Sequence, residues 1–354
     1  MTAGPRPFND RPPWHDRAGK LEVAAVAHEA PDVATFTFRD PDGGWFRYAP
    51  GQFITLDLPT PQGVLTRTYT LSSSPSRPLN ISVTVKAQAD SLGTRWMLDH
   101  LQPGDRLQAY GPAGAFSFHH HPAPKYLFVS AGSGVTPLLS MARWAEDAGG
   151  ADIAFVACAR RPADLIARRD LEAMAARDPT FALSFVVRAP EPGTAWTGYR
   201  GRLNLSMLRL MVPDLREREA FCCGPAGFMA DVRAMLADSG CDPARYHEES
   251  FHPKADDPAA VPLPAEAPLG VVHFTLSDVT VPAGDGETIL LMARGAGLNI
   301  PSGCTMGLCG TCKVRCLSGE TAMAHQGGIR DDEIAEGFVL ACCTRPVGRV
   351  EIEV

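Results

Sequence analysis

Four cysteines near the end of the chain constrain this protein more than any other feature. Cys304, Cys309 and Cys312 follow a C-x4-C-x2-C spacing, and Cys342 comes after 29 intervening residues. A [2Fe–2S] cluster needs four thiolates, two on each iron, and one loop can supply three of them. The small residues between the cysteines let the backbone approach the sulfides and point N–H groups at sulfur. The pattern therefore predicts a cluster whose fourth ligand comes from a distant turn.

A zinc site with four cysteine ligands is the alternative interpretation of this loop. Structural zinc sites usually combine two C-x2–4-C pairs, whereas the only cysteine beside Cys342 is Cys343. The spacing therefore favours the cluster. By spacing alone, Cys342 and Cys343 compete for the position of the fourth ligand.

Length and composition restrict the remaining possibilities. The chain has 354 residues, of which 45% are apolar and 21% charged, and a net charge of −7, which fits two or three globular domains. No apolar run reaches the ~18 residues of a membrane span, and no Lys/Arg block favours nucleic acid. The first 17 residues lack the apolar core of a signal peptide. We expect a mobile tail over 1–17 and a cytoplasmic protein, with neither membrane nor nucleic acid as a partner.

Hydrophobic patterning divides the rest of the chain into domains. Alternating or β-branched runs, interrupted by one helical stretch at 91–100, predict an antiparallel β-barrel over 18–122. Strands that alternate with helices predict a parallel α/β sheet over 123–250. The proline-rich segment 251–268 is typical of a linker. Residues 269–354 hold the cysteine loop and complete a multidomain chain.

The terminal domain resembles plant-type [2Fe–2S] ferredoxins. The resemblance covers residues 270–354, and the apolar run VLAC matches the short apolar segment that precedes the last ligand in that family. It implies an α+β fold of the β-grasp type. The cluster ligands that it implies are Cys304, Cys309, Cys312 and Cys342. Cys343 and Cys316 are then packed or partly exposed thiols.

Two segments of the predicted α/β domain point to a dinucleotide. The first, Ala131-Gly-Ser-Gly-Val-Thr-Pro137, follows an apolar strand and opens a helix, where glycines let a pyrophosphate approach the backbone. The second, Cys222-Cys-Gly-Pro225, lies at the C-terminal end of another strand, the edge at which open α/β sheets bind ligands. Each segment alone also fits a purely structural role, because βα turns favour glycine and buried cysteine is a small hydrophobe.

Together these segments resemble the pyridine-nucleotide domain of the ferredoxin–NADP reductase superfamily. The resemblance implies that the Gly-rich turn binds the pyrophosphate and that the CGP turn borders the nicotinamide, with Cys223 close to the hydride path. The nucleotide-binding residues that it implies are Gly132, Ser133, Gly134, Thr136, Pro137, Arg160, Cys223, Gly224 and Pro225. Arg160 and Arg161 suit a 2′-phosphate, and they equally suit a solvated surface. We expect NADH, with NADPH as the alternative.

Arg67-Thr-Tyr69-Thr70 in the predicted barrel resembles the R-x-Y-[ST] flavin motif of the same superfamily. Arg67 would neutralise a flavin phosphate by bidentate hydrogen bonds, Tyr69 would pack its ring on the flavin, and Thr70 would hydrogen-bond near N5. The further flavin-binding residues that the resemblance implies are Thr68, Val83, Val85, Lys86, Thr94 and Phe251. The turn that ends at Thr94 matches the pyrophosphate turn of the superfamily only approximately. Phe251 either covers the flavin ring or packs.

The choice between FAD and FMN depends on which branch of the superfamily the chain resembles. The order flavin, nucleotide, ferredoxin also fits phthalate-dioxygenase-reductase-like proteins, which use FMN. The helix at 91–100 and the segment 111–116 look more like the FAD-using branch. We expect FAD, with FMN as the alternative.

The resemblance implies an NAD(P)H-dependent electron relay. NADH would give a hydride to the flavin, with Thr70 and Cys223 as the catalytic residues that place the two rings, and the cluster would pass single electrons onward. The organisation resembles reductase components of Rieske-type oxygenases, including those that demethylate quaternary amines, so a terminal oxygenase or another electron-accepting protein is the expected partner. The alternatives are an NAD(P)H reductase of a hybrid-cluster protein or a general ferredoxin-type reductase and, from another class, a non-enzymatic electron-carrier or redox-sensing module. The run at 119–121 is interpreted as solvated histidines rather than a metal site.

Overall fold

The computed structural model describes residues 12–14, 19–30, 32–61, 63–87, 91–191, 193, 195–251, 270–284, 286–298, 300, 302, 307, 310, 312–325 and 329–354. The chain divides near residue 252 into two compact units. The predicted linker 251–268, apart from Phe251, and the predicted ligands Cys304 and Cys309 lie outside the described residues. Among the helices that are described, none is both long and apolar enough to cross a membrane.

An antiparallel barrel forms the first half of the first unit. Its elements are β1 (Gly19–Ala30), β2 (Val33–Arg39), β3 (Phe53–Thr60), β4 (Gly63–Thr70), β5 (Ile81–Lys86), helix α1 (Leu92–His100) and β6 (Arg106–Ala113). The strand order is β4-β3-β6-β1-β2-β5, and an antiparallel bridge from Leu71 to Val83 joins the two outer strands. Alternate side chains, among them Phe36, Phe38 and Ile54, are fully buried inside. The predicted barrel is therefore present.

The structure differs from the sequence expectation at residues 12–14, which fall in the predicted mobile tail. Trp14 is buried, its backbone N–H donates to the carbonyl of Trp45 at 2.6 Å, and its indole N–H donates to the carbonyl of Gly111 at 2.9 Å. Burying so large a ring is strongly favourable, and its polar edge still finds an acceptor. The Pro- and Asp-rich composition around it gave no sign of this anchor.

A parallel sheet forms the second half of the first unit. Its strands are β7 (Lys125–Ala131), β8 (Asp152–Ala159), β9 (Phe181–Val187), β10 (Tyr199–Arg200), β11 (Glu219–Cys223) and β12 (Tyr246–Glu249), and its helices are α2 (Val135–Asp147), α3 (Arg168–Arg177), α4 (Leu205–Met211) and α5 (Ala226–Asp238). The strand order is β10-β9-β8-β7-β11-β12. Helices α2 and α3 cover one face, and α4 and α5 cover the other. Burial on both faces explains the continuous apolar runs in these strands.

The order of the strands reverses at β7. The chain runs outward from β7 through β8, β9 and β10, and then returns to β11 on the other side of β7. Such a reversal leaves a crevice at the carboxyl ends of the two central strands, because the connections leave them in opposite directions. Those ends are Ala131 and Cys223. The fold therefore brings the two predicted nucleotide segments to one crevice.

Helix α2 holds the parallel sheet against the barrel. The hydroxyl of Ser140 donates to the carbonyl of Ser73 at 2.7 Å, and the guanidinium of Arg143 donates to the carbonyl of Ser72 at 2.6 Å. Both acceptors lie just beyond Thr70 at the end of β4. The helix that begins at the Gly-rich turn is thereby fixed to the segment that follows the flavin motif.

The second unit is a mixed sheet with a packed helix. Its elements are β13 (Val271–Phe274), β14 (Val279–Pro282), α6 (Ile289–Gly295), β15 (Lys313–Met323), α7 (Asp331–Ala335), β16 (Phe338–Leu340) and β17 (Thr344–Ile352). The strand order is β14-β13-β17-β15-β16, with β13 and β17 parallel and the other pairs antiparallel. The apolar side of α6 joins the core of this sheet. The predicted α+β fold is confirmed.

Candidate flavin, nucleotide and cluster sites

The flavin motif lies on β4, an outer strand of the barrel sheet. Because side chains alternate along a strand, Arg67 and Tyr69 share one face and Thr68 and Thr70 the other. Thr70 is buried at 7% exposure, whereas Arg67 is exposed. A Cβ placed on Gly93 would lie 3.4 Å from the Cγ of Arg67, so the arginine stem lies beside the first turn of α1. A guanidinium next to a helix N-terminus favours a phosphate.

Tyr69 provides an internal test of whether the barrel fits a cofactor. Its ring packs against the barrel core, and its hydroxyl is buried without a hydrogen-bond partner in the part of the chain that the structure describes. Burial raises the pKa of Tyr69 above its ordinary value, so the phenol is neutral. An unsatisfied buried hydroxyl costs about 1–3 kcal/mol, which a polar atom of a ligand would relieve. The site therefore fits the flavin that the motif implies.

The other predicted flavin residues differ in what they can contact. Val83 and Val85 belong to the barrel core at 0% and 2% exposure, so neither side chain is open to a ligand in this structure. Lys86 is half-buried at the end of β5. The hydroxyl of Thr94 is hydrogen-bonded within the first turn of α1. The ring of Phe251 is 37% exposed, which speaks against a packing role within the described residues.

The two nucleotide segments touch each other where the strand order reverses. A Cβ on Gly134 would lie 2.1 Å from the carbonyl oxygen of Cys223 and 2.6 Å from the backbone nitrogen of Gly224, so only glycine fits there. Gly132 has a φ of +59°, and a Cβ on it would meet nothing among the described atoms within 4 Å. The absence of a side chain at Gly134 thus lets the two segments pack together, and its absence at Gly132 leaves the backbone open toward a ligand. This arrangement at the start of α2 suits a pyrophosphate.

The remaining residues of these turns are held by the helices that follow them. The hydroxyl of Thr136 donates to the carbonyl of Ser133 at 3.0 Å, and Thr136 and Pro137 are both buried in the first turn of α2. Pro225 precedes α5, whose first residue is Ala226. The N-termini of α2 and α5 therefore flank the crevice, and each fixes the backbone of the turn before it.

The two arginines after β8 have different surroundings. Arg161 pairs with Asp164 at 3.3 Å and with Glu191 at 3.8 Å. Arg160 is exposed beside them. The edge where a ribose is expected thus carries two carboxylates as well as the two arginines.

Cys223, at the carboxyl end of β11, is completely buried, and it is the register partner of Glu249 on β12. Burial, followed by the charge of Glu249, raises the pKa of the Cys223 thiol well above its ordinary value. The thiol is therefore neutral, which suits contact with a ring and excludes action as a thiolate nucleophile. The resemblance implies a site role for Phe251 in this segment and none for Glu249, which the structure places beside Cys223.

In the second unit, two of the four predicted cluster ligands are described, and they lie together. Cys312 and Cys342 are 2% and 7% exposed, and the backbone N–H of Cys342 lies 3.4 Å from the Sγ of Cys312. The backbone N–H of Ala341 donates to the carbonyl of Cys312 at 3.0 Å. Cys343 is half-buried, and its thiol lies 3.6 Å from the carbonyl of Leu340. The N–H aimed at its sulfur supports Cys312 as a thiolate ligand. The thiol of Cys342 contacts the thiol of Cys312 and the backbone of Gly307, which favours Cys342 over Cys343 as the fourth ligand.

The described parts of the cysteine loop turn sharply. Gly307 and Gly310 both have a φ of +72°, a conformation that favours glycine. Ser302, near the start of the loop, accepts a hydrogen bond from Arg294 of α6 at 2.6 Å. These features fit a loop that bends around a cluster.

Comparison with known proteins identifies the family. Residues 20–118 match the oxidoreductase FAD-binding domain, residues 128–234 the oxidoreductase NAD-binding domain, and residues 272–347 the 2Fe-2S iron-sulfur cluster binding domain. The chain is 51% identical to the stachydrine N-demethylase reductase subunit of Rhizobium meliloti (strain 1021), over 96% of this chain and 97% of that protein. This chain belongs to the oxygenase reductase subunit family.

Two further proteins are similar to this chain. This chain is 42% identical to the glycine betaine monooxygenase reductase subunit of Pseudomonas aeruginosa (strain UCBPP-PA14), with 96% of each chain covered. Its fold is similar to the crystal structure of phthalate dioxygenase reductase, with a TM-score of 0.59, 24% identity, and 95% of this chain and 98% of that chain covered. The latter similarity concerns the fold alone.

The comparisons confirm several predictions from the sequence. The oxygenase reductase subunit is an oxidoreductase with an FAD-binding barrel, an NAD-binding α/β domain and a C-terminal [2Fe–2S] domain, in that order. The zinc interpretation of the cysteine loop is accordingly disfavoured. The roles of individual residues remain predictions, supported by the positions described above.

Proposed function

We propose that this oxygenase reductase subunit takes a hydride from NADH and delivers single electrons to a Rieske-type oxygenase. The observation that carries the proposal is the contact of Gly134 with Cys223 at the strand reversal, on a helix fixed to the strand of the flavin motif. When bound, FAD accepts an electron pair and a [2Fe–2S] cluster accepts one electron at a time, so together they divide the pair.

The residues of the barrel would bind and orient the flavin. Arg67 and the start of α1 supply positive charge for a phosphate. Tyr69 offers a ring for packing and an unsatisfied hydroxyl for a polar atom. Thr70, buried at the end of the strand, is the proposed hydrogen-bond donor near the reacting edge of the ring.

The crevice between β7 and β11 would bind the nucleotide. The backbone at Gly132 and Gly134 supports the pyrophosphate, and the neutral, buried thiol of Cys223 excludes water beside the nicotinamide. Asp164 and Glu191 lie beside Arg161 and would repel the doubly charged 2′-phosphate of NADPH. This repulsion supports the choice of NADH.

The proposed partner is an oxygenase that removes a methyl group from a quaternary ammonium compound of the betaine class. The support is that relatives at 51% and 42% identity are reductase subunits named for stachydrine and for glycine betaine. A net charge of −7 is compatible with docking on a basic surface. We place this electron transfer in the cytoplasm, where NADH is supplied by metabolism.

Anaerobic titration of the purified protein with NADH tests the relay. The visible spectrum should contain flavin bands and the broad absorption of a [2Fe–2S] cluster, and NADH should bleach both. Bleaching of the flavin alone would contradict transfer between the two domains, and a colourless zinc protein would contradict the whole proposal.

A reconstituted reaction tests the partner. With O₂ as the oxidant, the reductase, NADH and a quaternary-amine Rieske oxygenase should demethylate a betaine and release formaldehyde and water, and omission of the reductase should abolish the product. The control replaces the oxygenase by one that hydroxylates an aromatic substrate. Equal support of both oxygenases would contradict the proposed partner class and leave the electron relay intact.

A further inference from the structure

Two histidines and a glutamate come together at the edge of the parallel sheet opposite the nucleotide crevice. Glu219 is the first residue of β11, and His247 lies near the start of the neighbouring strand β12. His121 follows the 3-10 turn at 118–120 in the connection from the barrel to β7. Residues from three separate parts of the chain therefore meet, and the electron relay uses none of them.

The donor atoms of these three side chains lie within 4.8 Å of one another. The Nε2 of His247 is 2.6 Å from Glu219 Oε1. The rings of His121 and His247 stack, with centroids 3.6 Å apart and planes inclined by 27°. Arg245 holds the other carboxylate oxygen, Oε2, at 3.0 Å. One carboxylate oxygen and two imidazoles thus lie close together.

We propose that His121, Glu219 and His247 form a binding site for a zinc-class divalent cation. Two imidazoles and one carboxylate are a ligand set that Zn²⁺ accepts, with a fourth position left for water. Hard cations such as Ca²⁺ and Mg²⁺ prefer oxygen donors throughout and fit this set poorly. The cation would replace a proton between His247 and Glu219, and Arg245 would keep its hold on the second carboxylate oxygen.

Binding requires small movements of the side chains. In a tetrahedral site with bonds of about 2.0–2.1 Å, the donors lie roughly 3.4 Å apart. The 2.6 Å distance between His247 Nε2 and Glu219 Oε1 must therefore lengthen, donor pairs that are farther apart must shorten, and the stacked rings must tilt apart. His121 is half-buried and lies outside regular secondary structure, just after a short 3-10 turn. Its side chain can therefore turn, while the strands hold Glu219 and His247 in place.

The site would connect the barrel to the parallel sheet without touching the hydride path. Glu219 and Cys223 occupy opposite ends of β11, roughly 13 Å apart at the rise of about 3.3 Å per residue in a strand. A cation that binds only the folded chain raises its thermal stability. We therefore expect zinc to stabilise the first unit and to leave hydride transfer from NADH unchanged.

Zinc titration of the full chain, with flavin and cluster in place and stray metal removed on a chelating resin, tests the site. The wild type should bind one Zn²⁺, measured by calorimetry and by metal content after gel filtration, and its Tm should rise. His121→Gln and His247→Gln should each weaken binding at least about tenfold and lose the rise in Tm.

The matched control is His120→Gln, which changes an exposed histidine of the same run. This variant should bind zinc as the wild type does. Equal loss in His120→Gln would show non-specific binding by the histidine run, and the absence of zinc binding in the wild type would overturn the site directly. The rate of flavin reduction by NADH without zinc checks that each variant is folded.

Discussion

Two adjacent-cysteine pairs in this protein look alike in sequence and differ in structure. Cys222 and Cys223 end a strand of the nucleotide sheet, and both are completely buried. Cys342 and Cys343 lie in the turn between β16 and β17, where the first is buried and the second half-buried. In each pair only one cysteine is proposed to act.

The backbone decides which cysteine that is, and it does so differently in the two places. Along a strand, successive side chains point to opposite faces, so Cys222 packs among the residues of α4 and α5 while Cys223 ends the strand beside Gly134. In a turn no such alternation exists, and the contact between the thiols of Cys342 and Cys312 supports Cys342 as the predicted ligand. The roles of two adjacent cysteines can therefore be assigned only when the conformation of the local backbone is known.

The largest expected effect comes from substitutions in the cysteine pair of the turn. Cys342→Ser should lose the [2Fe–2S] absorption and the bound iron, because a hydroxyl is a poor replacement for a buried thiolate ligand. Cys343→Ser should keep both, and visible spectra with iron analysis measure the difference. Loss of the cluster in Cys343→Ser alone would mean that the two positions had been assigned in the wrong order.

The next effect tests what holds Cys223 at the crevice. Gly134→Ala would place a methyl group 2.1 Å from the carbonyl of Cys223, so the two turns must separate and NADH binding should weaken at least about a hundredfold. Gly132→Ala, which faces open space at a φ of +59°, should cost only about 1–2 kcal/mol of stability. Titration with NADH and urea unfolding measure the two quantities. Similar behaviour of the two variants would argue against a contact between the turns.

A smaller effect separates the two cysteines of the strand. Cys223→Ala should slow flavin reduction by NADH about 10–100-fold, because a misplaced nicotinamide lowers the rate steeply. Cys222→Ala should leave that rate within about twofold and lower stability by about 1 kcal/mol. Stopped-flow reduction and urea unfolding distinguish them. A slow Cys222→Ala with a fast Cys223→Ala would reverse the assignment.

The smallest expected effect is a pH dependence of stability at the packed cysteine. Burial raises the pKa of the Cys222 thiol from 9.0 to about 12, so above about pH 9 the unfolded chain releases a proton that the folded chain keeps. The contribution of this thiol to stability is therefore complete below that pH and is lost as the pH rises. Between about pH 7 and about pH 10, the urea midpoint of the wild type should fall more than that of Cys222→Ala. Parallel falls would contradict a buried neutral thiol.

Much of the architecture could be predicted from local patterns. Alternating runs such as ISVTVK, with one helix near 91–100, predict the barrel, because strands that are buried on one face alternate apolar and polar residues. Continuous apolar strands followed by glycine turns predict the parallel sheet, because its strands are buried on both faces. Short elements escaped prediction. Strand β12 has four residues and β10 has two, too few for a period to show, and Trp14 packs through long-range contacts that its neighbours do not signal.

What the sequence by itself determined is the chemistry available: four spaced cysteines for a cluster, an R-x-Y-[ST] strand, a Gly-rich turn and a CGP turn. Spacing constrains a ligand set when the ligands share one loop, because the chain between them is short. Only the tertiary structure brought Gly134 against Cys223, and His121 beside Glu219 and His247. These partners come from distant parts of the chain, and their meeting depends on the order of the strands in the sheet, which no local pattern encodes. The same holds for the two cysteine pairs, because the backbone around each pair determines which of its two cysteines is proposed to act.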